Sequence, residues 1–171
     1  MIYIYNDYGG THTTSLAAAY HLKQLPQSER QLTTEEILNV KYFNKLTQAD
    51  FGKLIFHGKD EDGNGVYSIG RKRNKYVVPA LKDLCLLLQE KHHFDEKIVF
   101  SNTSPTVPLA MTFGGFFSRG LKIDFLGVPL LVKGAKKCCD NIFRLVENTK
   151  EMGRTKFNEN VLILENEMYK N

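Results

Sequence analysis

The stretch IYIYNDYGGTHTTSLAAAYHL, residues 2–22, decides how the rest of the chain is read. Ile2, Tyr3, Ile4 and Tyr5 form a short β-rich run. Gly9 and Gly10 interrupt it, and from about Thr13 a helical pattern follows through Ala17, Ala18, Ala19 and Leu22 until Pro26 stops it. A strand that passes through a glycine turn into a helix is the first half of a βαβ unit. Parallel strands joined by helices are therefore expected downstream.

The following segments fit that expectation. Thr33-Thr34-Glu35-Glu36 has the form of a helix start and Thr47 to Asp50 that of a short turn. Leu54-Ile55-Phe56-His57 and Val66-Tyr67-Ser68-Ile69 read as two strands, with the acidic, glycine-bearing stretch Asp60 to Gly65 as the hairpin turn between them. Asp60, Asp62, Asn64 and Gly65 also have the spacing of a calcium loop, but the place of its bidentate Glu is taken by Arg71, and the calcium reading fails there. Val77, Leu81, Leu84, Cys85 and Leu88 share one face of a helix that starts near Val77 with Pro79 in its first turn. Ile98-Val99-Phe100 is continuously apolar, as a strand buried on both faces must be. A polar loop, Ser101 to Pro105, leads to an apolar helical segment from about Val107 to Phe117. Phe125-Leu126 with Pro129-Leu130-Leu131-Val132 predicts another strand, closed by Gly134, and Ile142, Leu145, Val146 and Thr149 a further helix. Val161 to Leu164 reads as an added strand or a tail. The expected fold is one α/β domain over residues 1–171, three-layer and Rossmann-like, its sheet mainly parallel but mixed by one β-hairpin.

With 42% apolar and 25% charged residues in 171, the composition excludes a disordered, collagen-like or disulfide-scaffold protein. A chain of this length buries enough surface to need no metal or disulfide for its core. Cys85, Cys138 and Cys139 are an odd count with an adjacent pair, which suits reduced thiols; Cys85 is expected in the core, and Cys138 and Cys139 have no assigned role. No apolar run reaches the ~18 residues of a membrane span and the first residues lack a signal peptide, so a cytoplasmic location and no membrane partner are expected. The net charge of +4 is mild. Its one dense basic run, Arg71-Lys72-Arg73-Asn74-Lys75, reads as a solvated loop, and no nucleic-acid partner is expected.

Ligands of open α/β sheets bind beyond the carboxyl ends of the strands, where helix N-termini face the crevice. Two segments of this chain fall there. In the first, Asn6 to Ser15, Gly9 and Gly10 let backbone approach a ligand closely, while Thr11, Thr13, Thr14 and Ser15 add hydroxyls near unsatisfied N–H groups. His12 could donate to a phosphate oxygen or act as an acid, and Asp7 as a base, metal ligand or nucleophile. The plain structural alternative makes Thr13 or Thr14 a helix cap and Asp7 an Asx-turn residue. The lysine of a P-loop and the three spaced glycines of a dinucleotide fingerprint are both missing. In the second segment, Asn102, Thr103 and Ser104 open onto the same crevice, and Ser118 and Arg119 follow, the latter a planar fork suited to phosphate or carboxylate. Its plainer role is to satisfy carbonyls at a helix end. His57, near the end of its strand, and Lys59 just after it could reach a ligand but are also ordinary hairpin residues, and His21, His92 and His93 read as packing or surface ones. Neither a zinc-ligand spacing nor a Gly-x-Ser-x-Gly elbow occurs.

Tyr8-Gly9-Gly10-Thr11-His12-Thr13-Thr14-Ser15, continuing through Ala17-Ala18-Ala19 and His21-Leu22 to Leu25-Pro26, and Gly114-Gly115-Phe116-Phe117-Ser118-Arg119 together resemble a bacterial domain family of unknown function typical of spore-forming Gram-positive bacteria. That resemblance covers the chain to about residue 147 and implies no activity. Gly10 to Leu16 is also similar to the phosphate loops of small Rossmann-like phosphotransfer and phosphatase domains. Those domains use a cysteine at the strand end where this chain has Asn6-Asp7, so only anion binding remains as the shared part. The expected function is binding of a phosphate-bearing or other anionic small molecule between the first loop and Arg119, with phosphotransfer or hydrolysis as its enzymatic form. A non-catalytic regulatory or partner-binding protein, docking through Phe113 to Phe117, is the alternative. The sequence names no cofactor and does not decide between a monomer and a homodimer.

Overall fold

β1 (Ile2–Asp7) lies at the centre of a five-stranded sheet in the computed structural model, which describes residues 1–93, 95–155 and 159–171. With β2 (Ile55–Lys59), β3 (Gly65–Gly70), β4 (Ile98–Asn102) and β5 (Val161–Leu164), the strand order is β2-β3-β1-β4-β5. β1 pairs in parallel with β3 and β4, β5 runs parallel to β4, and only β2 is antiparallel, across the hairpin. The sheet is thus mixed and mostly parallel. Its register sets Asp7 beside Gly70 and Asn6 beside Asn102, which gathers the carboxyl ends of β1, β3 and β4 on one edge.

Helices α1 (Thr13–His21), α2 (Thr34–Asn39), α3 (Val77–His92), α4 (Leu109–Gly115) and α5 (Asp124–Arg154) connect and cover the strands. Strand side chains alternate between faces, so neighbouring residues of β1 enter different cores. Tyr5 joins Leu16, Ile37, Ile142 and Leu145 from α1, α2 and α5. Ile4 joins Ile69, Phe100 and Val161 with Val78 of α3. α2 starts as its sequence predicts, with a capping box in which Thr33 accepts from the Glu36 N–H and Glu36 accepts from the Thr33 N–H.

Two expectations need correction. Phe125 to Val132 is not a strand but the first turns of α5, a helix of 31 residues with Pro129 inside it. Pro129 forgoes one helical hydrogen bond, and packing outweighs that loss. From Leu131 the buried positions run Ala135, Cys138, Ile142, Leu145 and Thr149, a continuous helical stripe of which the apolar run at 130–132 is only the beginning. Glycines bring α4 against it: a Cβ at Gly114 would stand 2.7 Å from the Leu131 nitrogen, and one at Gly134 2.7 Å from Met111 Cβ. The second correction concerns α3, where Val77, Leu81 and Cys85 pack on the sheet while Leu84 and Leu88 are exposed. Cys85 is accordingly half-buried rather than core, whereas Cys138 and Cys139 are buried free thiols. Of the two readings open for Val161 to Leu164, the added strand is the one formed, paired in parallel with β4. Among the described residues no helix is long and apolar enough to cross a membrane.

Candidate functional site

At the end of β1 the chain turns back through Tyr8 to His12 before entering α1. Gly10 has φ +70°, and a Cβ there would lie 2.6 Å from the Gly70 nitrogen. Only glycine allows the loop to lie on the end of β3 so closely. The buried Asp7 carboxylate holds the turn with both oxygens: Oδ1 accepts from the Gly10 N–H, and Oδ2 accepts from Thr13 Oγ1 at 2.7 Å. Thr13 Oγ1 also lies 3.0 Å from Thr103 Oγ1, and the Thr103 N–H donates to the Asn6 carbonyl at 2.8 Å. Asp7, Thr13 and Thr103 therefore clamp the first loop to the end of β4.

Leu16 is the first residue of α1 whose N–H bonds back into the helix, to His12 O at 3.0 Å. The N–H groups of Thr13, Thr14 and Ser15 precede it, and no side chain caps them. The hydroxyls of Thr14 and Ser15 are buried and have no hydrogen-bond partner among the described residues. An uncapped helix start carries partial positive charge and unused donors; here Thr13, Thr14 and Ser15 are themselves buried.

Thr11 straps a further segment onto this loop. Its hydroxyl donates to Tyr42 O at 2.7 Å and accepts from the Leu46 N–H, while the Asn44 N–H donates to Thr11 O. Asn44, in a left-handed conformation (φ +54°), thereby reaches the centre of the site. Its Oδ1 lies 2.7 Å from Arg119 Nε and 3.1 Å from His12 Nε2. Guanidinium nitrogens only donate, so the atom they meet is the amide oxygen, and His12 Nε2 facing that oxygen must carry the ring proton. Asn44 Nδ2 donates to Ser118 Oγ at 2.8 Å, and Ser118 Oγ donates to the Asp124 carboxylate. Ser118 and Arg119 lie in a single π-helical turn, Phe116–Gly120, between α4 and α5.

His12 and Arg119 thus meet on one amide oxygen, although they belong to remote parts of the chain. Burial lowers the His12 pKa and Arg119 lowers it further, against opposing effects of the Asn44 hydrogen bond and Asp7; the net shift is downward. At neutral pH the ring is uncharged, with Nδ1 left as an acceptor. Arg119 is half-buried and spends only Nε on the protein among the described residues, which leaves both terminal NH2 groups as donors.

A second row crosses the strand ends on the other face, because Asn6 and Asp7 point in opposite directions. Arg71 Nε donates to Asn6 Oδ1 at 2.9 Å and its NH2 lies 3.4 Å from Asn102 Oδ1, while Asn102 Nδ2 donates to Glu165 at 2.9 Å. Arg71 is therefore a tied, half-buried residue rather than part of a solvated loop. Neither Arg71 nor Asn44 stands out in the sequence: the first is hidden in a basic run, and the second lies in a stretch without periodicity. Asn102 and Ser118 bond within the protein, and Gly9 serves the turn, its carbonyl facing Gly70. His57 Nε2 meets Ser68 Oγ at 2.9 Å, and Lys59, at the end of the antiparallel β2, lies beside Gly65 at the far edge of the sheet. A cleft of about 690 Å3, lined by Lys23, Glu61, Lys150 and Arg154 among others, also lies at that far edge and contains none of the site residues.

The family model described as Protein of unknown function (DUF3189) matches residues 2–151, a range that takes in both the first loop and the Arg119 turn. No curated protein and no solved structure matches the chain.

Proposed function

We infer, for a chain that belongs to the DUF3189 family, that the edge formed by the first loop and the Arg119 turn binds a phosphate-bearing or other anionic small molecule. The observation that carries this reading is the pairing of an uncapped helix start, with two unpartnered buried hydroxyls behind it, and an arginine whose terminal donors are unspent. The first-turn N–H groups of Thr13 and Thr14 and the Arg119 fork are the binding groups. Thr11, Asn44 and Ser118 position them; Gly9 and Gly10 shape the turn, and Asn102 supports Arg71.

Topology supports the same place. The chain leaves β1 for β3 on one side and returns to β4 on the other, and such a reversal of strand order is where doubly wound sheets open a ligand crevice. This reading takes residues 1–171 as one domain with a three-layer, Rossmann-like build. His12 enters it as a neutral ring that orients Asn44, and its bare Nδ1 is the group able to take a proton. Asp7 is buried and holds the turn with both oxygens, so the site as built favours binding over phosphotransfer or hydrolysis.

Melting shifts with inorganic phosphate, sulfate, nucleotides and phosphorylated metabolites test the proposal. A ligand at 100 times its Kd should stabilise the fold by about 2.7 kcal/mol, and Arg119→Ala should remove the shift while leaving the melting temperature without ligand nearly unchanged. No shift from any anion overturns the reading.

A further inference from the structure

Val146, Thr149, Lys150 and Gly153 close the buried stripe of α5 at the spacing of one helix face. Gly153 presses that face onto β1, since a Cβ there would stand 2.5 Å from Tyr3 Oη. A lysine is out of place in such a row: burying an ammonium is costly unless it is paired, and lysine is almost never buried otherwise. Lys150 is nevertheless only 8% exposed, and among the described residues its amine has neither a hydrogen bond nor an ion pair. The little surface it keeps lines the cleft of about 690 Å3 at the far edge of the sheet.

The charges that share this cleft identify what fits it. Its walls carry three cations, Lys23, Lys150 and Arg154, and three carboxylates, Glu61, Glu147 and Glu151. Lys23 is bonded to Glu61, and Arg154 donates to Asp62 at 3.0 Å. Glu147 and Glu151 flank Lys150 along α5 and are exposed, and among the described residues neither forms an ion pair with it. What stays open is thus one buried ammonium beside two carboxylates. A phosphate would meet the ammonium but also the carboxylates, which repel it. A metal ion or a polyamine would use the carboxylates and leave Lys150 unpaired. A molecule that bears a carboxylate and an ammonium on one carbon matches both, and the cleft falls within the roughly 300–1,000 Å3 of small-molecule sites.

We propose that this cleft binds a free α-amino acid, its carboxylate accepting from Lys150 Nζ and its ammonium donating to Glu147 or Glu151. The ligand supplies the counter-charge that the fold withholds from Lys150. This site shares no residue with the first loop or the Arg119 turn, so it goes beyond the small-anion reading and stands if no anion binds there.

Titration calorimetry and melting shifts of the full chain at neutral pH, with each proteinogenic amino acid and with acetate and methylamine as half-ligands, test it. At least one amino acid should bind, and neither half-ligand should match it. Lys150→Met keeps the buried stem and removes the ammonium. It should weaken amino-acid binding at least about tenfold, while the melting temperature without ligand holds or rises, because an uncompensated buried charge is gone. Glu147→Gln with Glu151→Gln, both at exposed positions, should weaken binding at least about tenfold as well. Arg119→Ala should leave amino-acid binding unchanged, and Lys150→Met should leave any phosphate-induced shift unchanged, so failure of one reading is distinguishable from failure of the other. The proposal falls if no amino acid binds, if acetate or methylamine binds as tightly as the best amino acid, or if Lys150→Met or the glutamine pair binds like the parent. It falls equally if Lys150→Met lowers the melting temperature without ligand, which would mean that the ammonium already has its partner within the fold.

Discussion

Asn44 Oδ1 accepts from both Arg119 and His12, so replacing it by Leu strands two donors in a partly buried place. Asn44→Leu is expected to cost about 1–3 kcal/mol in denaturant unfolding and to lose anion-induced stabilisation, although Asn44 need touch no ligand. Equal melting shifts in parent and variant would remove Asn44 from the site. Residues also set the response to pH. His21 lies buried between Tyr5 Oη, 2.8 Å from Nδ1, and Asp60, 3.2 Å from Nε2; burial lowers its pKa to about 4 against the raising effect of the Asp60 hydrogen bond. Burial brings His57 to about 4 as well, with Lys41 acting in the same direction. Both pKa values are depressed in the folded chain, so between the ordinary value near 6.5 and about 4 the unfolded chain binds more protons. Stability should hold above about pH 6.5 and fall as pH drops from there to 4. His21→Gln should make that decline shallower; an equally steep fall in the variant would locate the titration elsewhere.

At the scale of elements, local pattern was sufficient where an element's residues and its packing agree. β1, the hairpin of β2 and β3, α3 and β4 are each visible as a run of the right period bounded by Gly, Pro or acidic turn residues. Of α5 only the second half, with Ile142 to Thr149, is visible; its start is not, because Leu130-Leu131-Val132 and Pro129 imitate a short strand and its end, whereas the helix is specified by a stripe that continues to Thr149 and by glycines whose partners are on another helix. No single-segment pattern reports that Gly114, Gly127 and Gly134 meet α4 and α5 backbone atoms. Within residues 27–50 the start of α2 is legible from Thr33 to Glu36, but the stretch around Asn44 is not, for a different reason: it is strapped to Thr11 through isolated hydrogen bonds, which leave no periodicity. The glycine contacts carry a prediction. Gly127→Ala would place a Cβ 2.6 Å from both the nitrogen and Cβ of Ser118. Overpacking of this kind costs about 1–3 kcal/mol, and here it should also displace the π-helical turn that presents Arg119. Thermal unfolding should therefore show a lower melting temperature together with a smaller anion shift. A stabilised variant, as expected for an ordinary helical Gly→Ala change, would show that α4 and α5 are not in backbone contact.

Over the whole molecule, the site edge depends on a strand that the family match does not reach. That match ends at residue 151, yet β5 completes the sheet by pairing in parallel with β4, and Val161 is fully buried in the core shared with α3. Just beyond it, the buried Asn166 donates to Ser101 Oγ at 2.9 Å and to the Asn102 carbonyl at 3.0 Å, and Glu165 accepts from Asn102. Asn102 in turn faces Arg71. A chain ended at Thr155 would thus lose more than a terminal strand: β4 would become an unpaired edge, two of its buried polar groups would lose partners, and Arg71 would lose part of its support. Each large side chain removed from the core forfeits about 1.5–3 kcal/mol, a substantial part of the 5–15 kcal/mol typical of a folded domain. The shortened chain should accordingly melt more than about 10 °C lower and associate through the exposed β4 edge in light scattering. If residues 1–155 instead remain monomeric, melt like the full chain and keep the same anion shift, then β5 is an ornament of the sheet and the edge holds its geometry from β1, β3 and β4 alone.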